Sequence, residues 1–398
     1  MKRLLILGGP IFQYPIICKA KRMGLEVGVV DINPNSPVAC AADRFFNASI
    51  LDKSQIMDVA REFMPDAVIS GACDTSVNMT AWLCDQLGLA GIGREAARRS
   101  TDKVEMLKAF EASGVAHPEY QVVRHDDVSN FTLKVPYPLI TKPIDSAGGR
   151  GVNLVQDEGE LSRAVRMSSD AGVSGDILVE EYLRGHEVSV EVIIADGTPH
   201  VLQITDKYTS GAPNFYEVGH SQPAVLDSKM KDRIVELASA AVLSVGLKNS
   251  AAHVEMMITP SGPKMIELGA RMGGDCISTY LVDSSVNGID MAEAMIRLSF
   301  GETLDVWNYE DSGQYCAVKF LPSKKGRLIE IRGEEVARQL PGVIRLEVTG
   351  RVGGEYRDAV DDSSRFAFVV CRASTLDAAN GMCERALAHL EFVLEPLD

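Results

Sequence analysis

In the segment PLITKPIDSAGGRGVNLV, Lys142 closes an apolar run and is followed by Ser146, Ala147, Gly148, Gly149 and Gly151. Glycines let backbone N–H groups approach phosphate oxygens with no Cβ in the way, while the lysine brings a cation to the same group. The same composition also builds plain structural hairpins. No Gly-Lys-Ser/Thr follows, so the loop is not of the Walker A type. A second arrangement is the pair Glu255 and Glu267 in HVEMMITPSGPKMIELGAR, where Pro260, Ser261 and Gly262 mark a turn between two apolar strands. Facing strands can bring both carboxylates to one face. In apolar surroundings they repel unless a cation joins them, and magnesium held by one or two carboxylates plus phosphate oxygens is the economical form. Pairing with lysines from elsewhere is the alternative. Arg271 follows closely enough to reach a transferring phosphoryl group. A third segment, ILVEEYLRGHEVSVEV, carries Glu180, Glu181, Leu183 and Glu187. A strand edge can pair with adenine and a carboxylate can accept from ribose hydroxyls, although acids before a turn are also commonly just solvated.

These residues need elements to position them. RLLILGG reads as a buried strand, followed by a helix near 13–23 and a strand ending at Asp31. A helix at 53–63, a strand at 66–70 and a helix at 75–87 continue a parallel, doubly wound pattern. Gly8, Gly9 and Asp31 have the spacing of a dinucleotide-binding turn, but Pro10 and Phe12 or Gln13 stand where further glycines are required. The turn then either closes the sheet or, with Asp74 after the next strand, contacts a small substrate at the strand ends. A helix capped by Ser100 or Thr101 and stopped by Gly114 opens a second region. Short strands at 119–123, 138–142, 152–155 and 177–181 surround a helix at 158–168. A long strand at 186–195, a helix at 228–246 and the hairpin with Glu255 and Glu267 come next. Strands at 315–321, 327–331, 342–348 and 365–371 precede a final helix at 375–391.

Hydrophobic residues make up 46% and charged residues 24% of the 398, and the formal charge is −15. That balance speaks against a nucleic-acid partner and asks for positive charge concentrated locally if the ligand is an anion. No stretch approaches the roughly 18 apolar residues of a membrane span, so no membrane partner is expected. Eight cysteines without CxxC spacing suggest neither zinc nor a disulfide framework and point to a cytoplasmic setting.

The ordered set of Lys103, Lys142, the glycine loop, EEYL, Glu187, Glu255, Glu267 and Arg271 resembles the ATP-grasp superfamily, most of all its L-amino acid ligases and biotin carboxylase. The resemblance implies a multi-domain chain of α/β and α+β parts. Its divisions are a Rossmann-like lobe (1–98), a linker helix with an ATP-grasp lid (99–190), a catalytic lobe (191–300) and a C-terminal α+β subdomain (301–398). It implies ATP and Mg2+ as cofactors, two ions with Mn2+ able to substitute. Lys103, Lys142, Ser146, Gly148 and Gly149 would hold phosphates, Glu180, Glu181 and Leu183 adenine, and Glu187 ribose. Glu255 and Glu267 would ligate the metal, and Arg271, Lys142 and Lys103 would serve catalysis. The family often has asparagine two residues after the second glutamate, where this chain has Gly269. The segment ITDKYTSGAPNFYEVGHSQPAVL resembles the acceptor-site loop of those ligases, with Lys207, Glu217 and His220 as polar contacts and Asp74, Gly273 and Gly274 as further substrate candidates. Capping of the turn before Pro223 is the other reading of His220. The implied activity is ATP-dependent carboxylate–amine ligation through an acyl phosphate, on small-molecule acids and amines, by a possible homodimer. Bicarbonate activation like that of biotin carboxylase or carbamoyl phosphate synthase, a phosphoribosylamine–glycine ligase activity, and nucleotide binding without catalysis are the alternatives.

Overall fold

The computed structural model describes residues 1–397 except 129, 147 and 305–307; Ala147 of the glycine loop therefore lies outside the described residues. The N-terminal strands β1 (Arg3–Leu7), β2 (Glu26–Asp31), β3 (Arg44–Asn47) and β4 (Ala67–Ile69) form a parallel sheet in the order β3-β2-β1-β4. Helices α1 (Tyr14–Arg22), α2 (Lys53–Phe63) and α3 (Val77–Leu87) accompany it. Leu4, Leu5, Ile6 and Leu7 are fully buried, as a central parallel strand covered on both faces requires. The short strand β3 was not expected from the sequence; it is a four-residue edge strand, too brief to show a period.

The helix expected to start at Ser100 or Thr101 is two helices, α4 (Arg94–Thr101) and α5 (Lys103–Ser113). Asp102 has extended backbone and caps α5, its Oδ1 accepting from the N–H groups of Val104 (2.9 Å) and Glu105 (3.1 Å). Such a cap satisfies orphan donors of the first turn and sets Lys103 at the head of the helix. Gly114, at φ +67°, ends it as the sequence indicated.

A four-stranded antiparallel sheet follows, with strands β5 (Tyr120–Val123), β6 (Leu139–Pro143), β7 (Asn153–Val155) and β8 (Ile177–Glu181) in the order β5-β8-β6-β7. Helix α6 (Glu158–Ala171) packs on it. The glycine loop joins β6 to β7. Gly148 and Gly149 have φ of +65° and +72°, which β-carbon-bearing residues rarely adopt.

The largest sheet is built from β9 (His186–Ala195), β10 (Thr198–Thr209), β11 (Glu217–Gln222), β12 (Ser250–Thr259) and β13 (Gly262–Gly269). On one of its faces Val188, Val190, Val192, Val254 and Met256 bury with helix α7 (Ser228–Ser244). The strands β10 and β11 correct the reading of 204–226 as one loop. Lys207 lies in β10, Glu217 and His220 lie in β11, and only 210–216 connects them. Then come α8 (Val282–Ser285), β14 (Val286–Asn287), α9 (Met291–Ser299) and β15 (Glu310–Asp311).

The C-terminal part has β16 (Tyr315–Pro322), β17 (Gly326–Arg332), α10 (Glu334–Arg338), β18 (Val343–Val348), β19 (Glu355–Tyr356), β20 (Arg365–Ala373), α11 (Leu376–Ala388) and β21 (Glu391–Glu395). The final helix thus ends at Ala388, because 391–395 pairs with β17 in a small sheet, β19-β17-β21. β16 pairs with β11, so the large sheet runs on as β13-β12-β9-β10-β11-β16-β20-β18. The divisions drawn at 98 and 190 fall within α4 and β9. Removing the α5 cap with Asp102→Ala should cost about 1 kcal/mol, with Asp102→Asn retaining most of it. Urea denaturation followed by circular dichroism measures both, and equal midpoints for Asp102→Ala and wild type would refute the cap.

Candidate active site

A cleft of about 540 Å³ is lined by the glycine loop, β8, both strands of the β12–β13 hairpin and β10. That volume suits a bound small molecule of nucleotide size. Lys103 Nζ donates to the Ser146 carbonyl (2.8 Å) and to Glu267 Oε1 (3.1 Å), tying the head of α5 to the loop and to β13. Burial alone would lower the Lys103 pKa, but the Glu267 charge more than offsets it and the ammonium is held protonated. Lys142 Nζ meets Glu180 Oε2 at 2.6 Å. The cation expected at phosphates and the carboxylate expected at adenine therefore stand together. Glu180 Oε1 is buried with no partner among the described residues, an acceptor left open at the cleft.

At the hinge after β8, the N–H of Glu181 donates to the Glu119 carbonyl and that of Tyr182 to Pro138, so the free edge narrows to Leu183. Glu181 is engaged otherwise, accepting from Lys264 Nζ at 2.7 Å. Ile140, Met257 and Ile266 give this end of the cleft an apolar lining.

Glu255 and Glu267 are opposite each other in the β12–β13 register. Neither lacks a cation: Lys103 serves Glu267, while Lys207 Nζ (3.2 Å) and His253 Nε2 (3.2 Å) both approach Glu255 Oε1. The lysine pairing weighed against a metal is thus present. All these contacts fall on Oε1 of the two carboxylates, and the hard oxygen donors and open cleft beside them fit a magnesium ion. Lys207 also meets Glu187 (3.0 Å) and Glu217 (2.9 Å), one cation among three carboxylates. Burial would lower the Lys207 pKa, yet these charges drive it well above its usual value. Burial raises Glu187, and Lys207 offsets this only in part. Glu187 has Lys207 as its cation but shares it with Glu217 and Glu255, and a divalent cation would add positive charge to this group.

Arg271 and Asp74, singled out separately in the sequence, form a two-point ion pair: Nε to Oδ1 at 2.8 Å and Nη2 to Oδ2 at 2.5 Å. Nη1 donates to the Met272 carbonyl (2.9 Å), so the guanidinium is fixed in orientation with N–H donors to spare. The pair explains Gly269. A Cβ there would lie 2.9 Å from Asp74 Oδ1 and 3.4 Å from Arg271 Nε, so asparagine would displace the bridge.

The remaining substrate candidates lie elsewhere. Gly273 donates its N–H to buried Glu191 (3.0 Å), and neither it nor Gly274 lines the cleft. His220 is buried in β11, away from the cleft surface, with Nε2 3.0 Å from Glu217 and 3.9 Å from Asp275. Burial would lower its pKa, but Glu217 beside it raises it. Glu217, His220 and Asp275 are grouped as metal ligands could be, yet Arg365 already compensates them, binding Asp275 through two 2.9 Å bonds. Asp31, at the position of a dinucleotide-binding carboxylate, accepts from the N–H groups of Gly9 (2.6 Å) and Asn33 (2.7 Å), which fits the turn that closes the sheet. Neither Gly9 nor Asp31 reaches the cleft.

Sequence reasoning missed Asp362, which lines the cleft from the C-terminal part and accepts from the Glu217 N–H (2.7 Å), because nothing local marks it. It also missed His253 and Glu191. These had a signal: His253 is two residues before Glu255, and Glu191 is four after Glu187, so each shares a strand face with a residue already chosen.

Residues 135–279 match the ATP-grasp domain, and 319–395 match the L-amino acid ligase C-terminal domain 2. The chain is 30% identical to alanine–anticapsin ligase of Bacillus subtilis (strain 168) over 277 residues, covering 63% of this chain and 58% of that protein. It is 25% identical to carnosine synthase 1 of Gallus gallus, over 89% of this chain and 41% of the other. It therefore spans about three fifths or less of these curated relatives. The crystal structure of L-amino acid ligase from Bacillus licheniformis superposes with a TM-score of 0.84 at 24% identity, covering 99% of both chains. Among the described residues no helix is long and apolar enough to cross a membrane.

Burial raises the Asp74 pKa, but Arg271 more than offsets this and holds it below the ordinary value. Its folded value lies under the unfolded one, so the pair stabilises the protein above about pH 4 and the contribution fades as pH falls through the folded value. Asp74→Asn should therefore be less stable than wild type near neutrality, and the difference should shrink on acidification below about pH 4. Urea midpoints across pH measure this; a difference that stays constant down to pH 2 would contradict the assignment.

Proposed function

We propose that this chain, an ATP-grasp domain joined to an L-amino acid ligase C-terminal domain, is an ATP-dependent ligase that links the carboxylate of an amino acid or related small acid to an amine. The observation that carries this reading is the convergence of Lys103, Lys142, the Glu255–Glu267 pair and a fixed Arg271 on one cleft. The ligase names of the relatives support it.

In this reading a carboxylate oxygen of the acid attacks the γ-phosphorus of ATP, the bond to the β–γ bridging oxygen breaks, and ADP leaves. The amine then attacks the acyl carbon of the resulting acyl phosphate, phosphate departs with the C–O bond, and the nitrogen loses a proton. Lys103 and Lys142 hold the phosphates, with the glycine loop placing N–H groups over them. Glu180 Oε1, otherwise unpartnered, accepts from the exocyclic amine of adenine, Leu183 offers backbone to the ring edge, and Glu187 takes the ribose hydroxyls. Arg271, aimed by Asp74, steadies charge on the transferring group. Magnesium held by Glu255 and Glu267, as two ions replaceable by manganese, would neutralise the phosphate oxygens. The cleft end with Glu217, Lys207 and Asp362 receives the acid and amine.

Phosphate and ADP release should require an acid and an amine together and should stop on chelation of divalent cations. Glu267→Gln and Arg271→Ala should each lower turnover by about 100-fold or more. A coupled ADP assay over acid–amine pairs measures this. Unchanged turnover in both variants removes the catalytic assignment, and release driven by bicarbonate alone would favour the bicarbonate-activating alternative.

A further inference from the structure

Glu191 is fully buried and takes no part in the cleft surface. A carboxylate removed from water is costly unless hydrogen bonds and charge compensate it. Ser278 Oγ donates to Glu191 Oε2 at 2.7 Å, the Gly273 N–H donates to the same oxygen at 3.0 Å, and His253 Nδ1 lies against Oε1. His253 and Glu191 are opposite each other in the β9–β12 register. The second ring nitrogen, Nε2, reaches Glu255 Oε1 at 3.2 Å, because His253 and Glu255 alternate on one face of β12. The result is a continuous line from a buried carboxylate through an imidazole to a cleft carboxylate.

We infer that Glu191 and His253 are positioning residues for the metal site: Glu191 fixes the imidazole, and the imidazole fixes the Glu255 carboxylate that receives the divalent cation. This rests on the reading of Glu255 as a metal ligand. Carboxylates that ligate metals bind more tightly when a second partner holds their orientation, and losing such a partner typically weakens metal binding by about 10- to 100-fold. Glu191 also aligns the chain after Arg271. A Cβ on Gly273 would lie 2.6 Å from Glu191 Oε1, so only glycine lets its N–H come this close. One buried side chain thereby sets both the strand bearing Glu255 and the turn following Arg271.

Asparagine and glutamine at 253 separate the two links, since the asparagine amide falls near Nδ1 and the glutamine amide near Nε2. His253→Asn keeps the bond to Glu191 and loses the reach to Glu255; His253→Gln keeps that reach. Mn2+ affinity is read by electron paramagnetic resonance in the presence of ADP, with binding of metal-free ADP as control. His253→Asn should bind Mn2+ about 10- to 100-fold more weakly. His253→Gln, which keeps the reach to Glu255 but gives up the bond to Glu191, should lose clearly less than His253→Asn, and metal-free ADP binding should be the same in all three. Glu191→Gln, where circular dichroism shows it folded, should weaken Mn2+ as well; the pair at 253 decides the matter if it does not fold. Equal Mn2+ affinity in wild type and His253→Asn, or equal loss in both variants at 253, overturns the inference while leaving the ligase reading intact. Wild-type protein that binds ADP but shows no Mn2+ binding overturns the metal reading and this inference with it.

Discussion

Carboxylates placed on adjacent strands repel, and the cleft is organised around containing that repulsion. Glu187, Glu217, Glu255 and Glu267 all line one cavity; Lys207 meets the first three and Lys103 the fourth. Lys207 comes from the neighbouring strand β10, and Lys103 from the head of a helix some 160 residues earlier in the chain. At distances near 3 Å in partly desolvated surroundings these attractions offset much of the cost of burying the carboxylates, and losing one partner would leave an uncompensated charge. The cap at Asp102 is a case in point: it starts α5 one residue before Lys103 and so delivers the ammonium to Glu267.

The balance is deliberately incomplete as a chemical matter. Lys207 is shared by three carboxylates, with His253 beside Glu255 and His220 beside Glu217, and among the described residues Glu180 keeps one oxygen buried with no donor. Buried polar atoms are nearly always satisfied in folded proteins, and exceptions concentrate where a ligand completes the set. In the proposed reading a divalent cation answers the clustered carboxylates and a hydrogen-bond donor answers Glu180, and a nucleotide–metal complex would bring both at once.

Residues that act through local chain geometry were legible in the sequence. The glycine loop, the hairpin turn at 260–262 and the strand reaching Glu180 declare themselves through composition and period. Asp74 and Arg271 were each visible as candidates, but not as a pair, because 197 residues separate them and no local pattern encodes a contact between lobes. Lys207, Glu217 and His220 were placed on a loop because their segment mixes glycine, proline and polar residues; pairing with β9 and β16 overrides that weak local preference and makes strands of both ends. Strand β21 was not anticipated for the same reason, its state being set by β17 rather than by its own five residues. Asp362 and Arg365 had no local signal, since their importance comes only from the continuation of the large sheet into the C-terminal part.

Gly269 brings these strands of reasoning together. Judged by the resemblance alone, it removes a metal ligand. In the structure its missing side chain is what admits Asp74 to within bonding distance of Arg271, since a Cβ would sit 2.9 Å from the Asp74 carboxylate. Asparagine in that position would contribute one neutral oxygen to a cation already offered two carboxylates. Glycine instead permits a bidentate ion pair that fixes a guanidinium and links the N-terminal sheet to the end of β13. Water and phosphate oxygens can complete magnesium's coordination, because the ion gives up its hydration reluctantly, whereas nothing in solvent can orient Arg271. On the proposed reading, the exchange of a replaceable ligand for an irreplaceable orientation accounts for the departure and leaves Glu255 and Glu267 free to hold the metal.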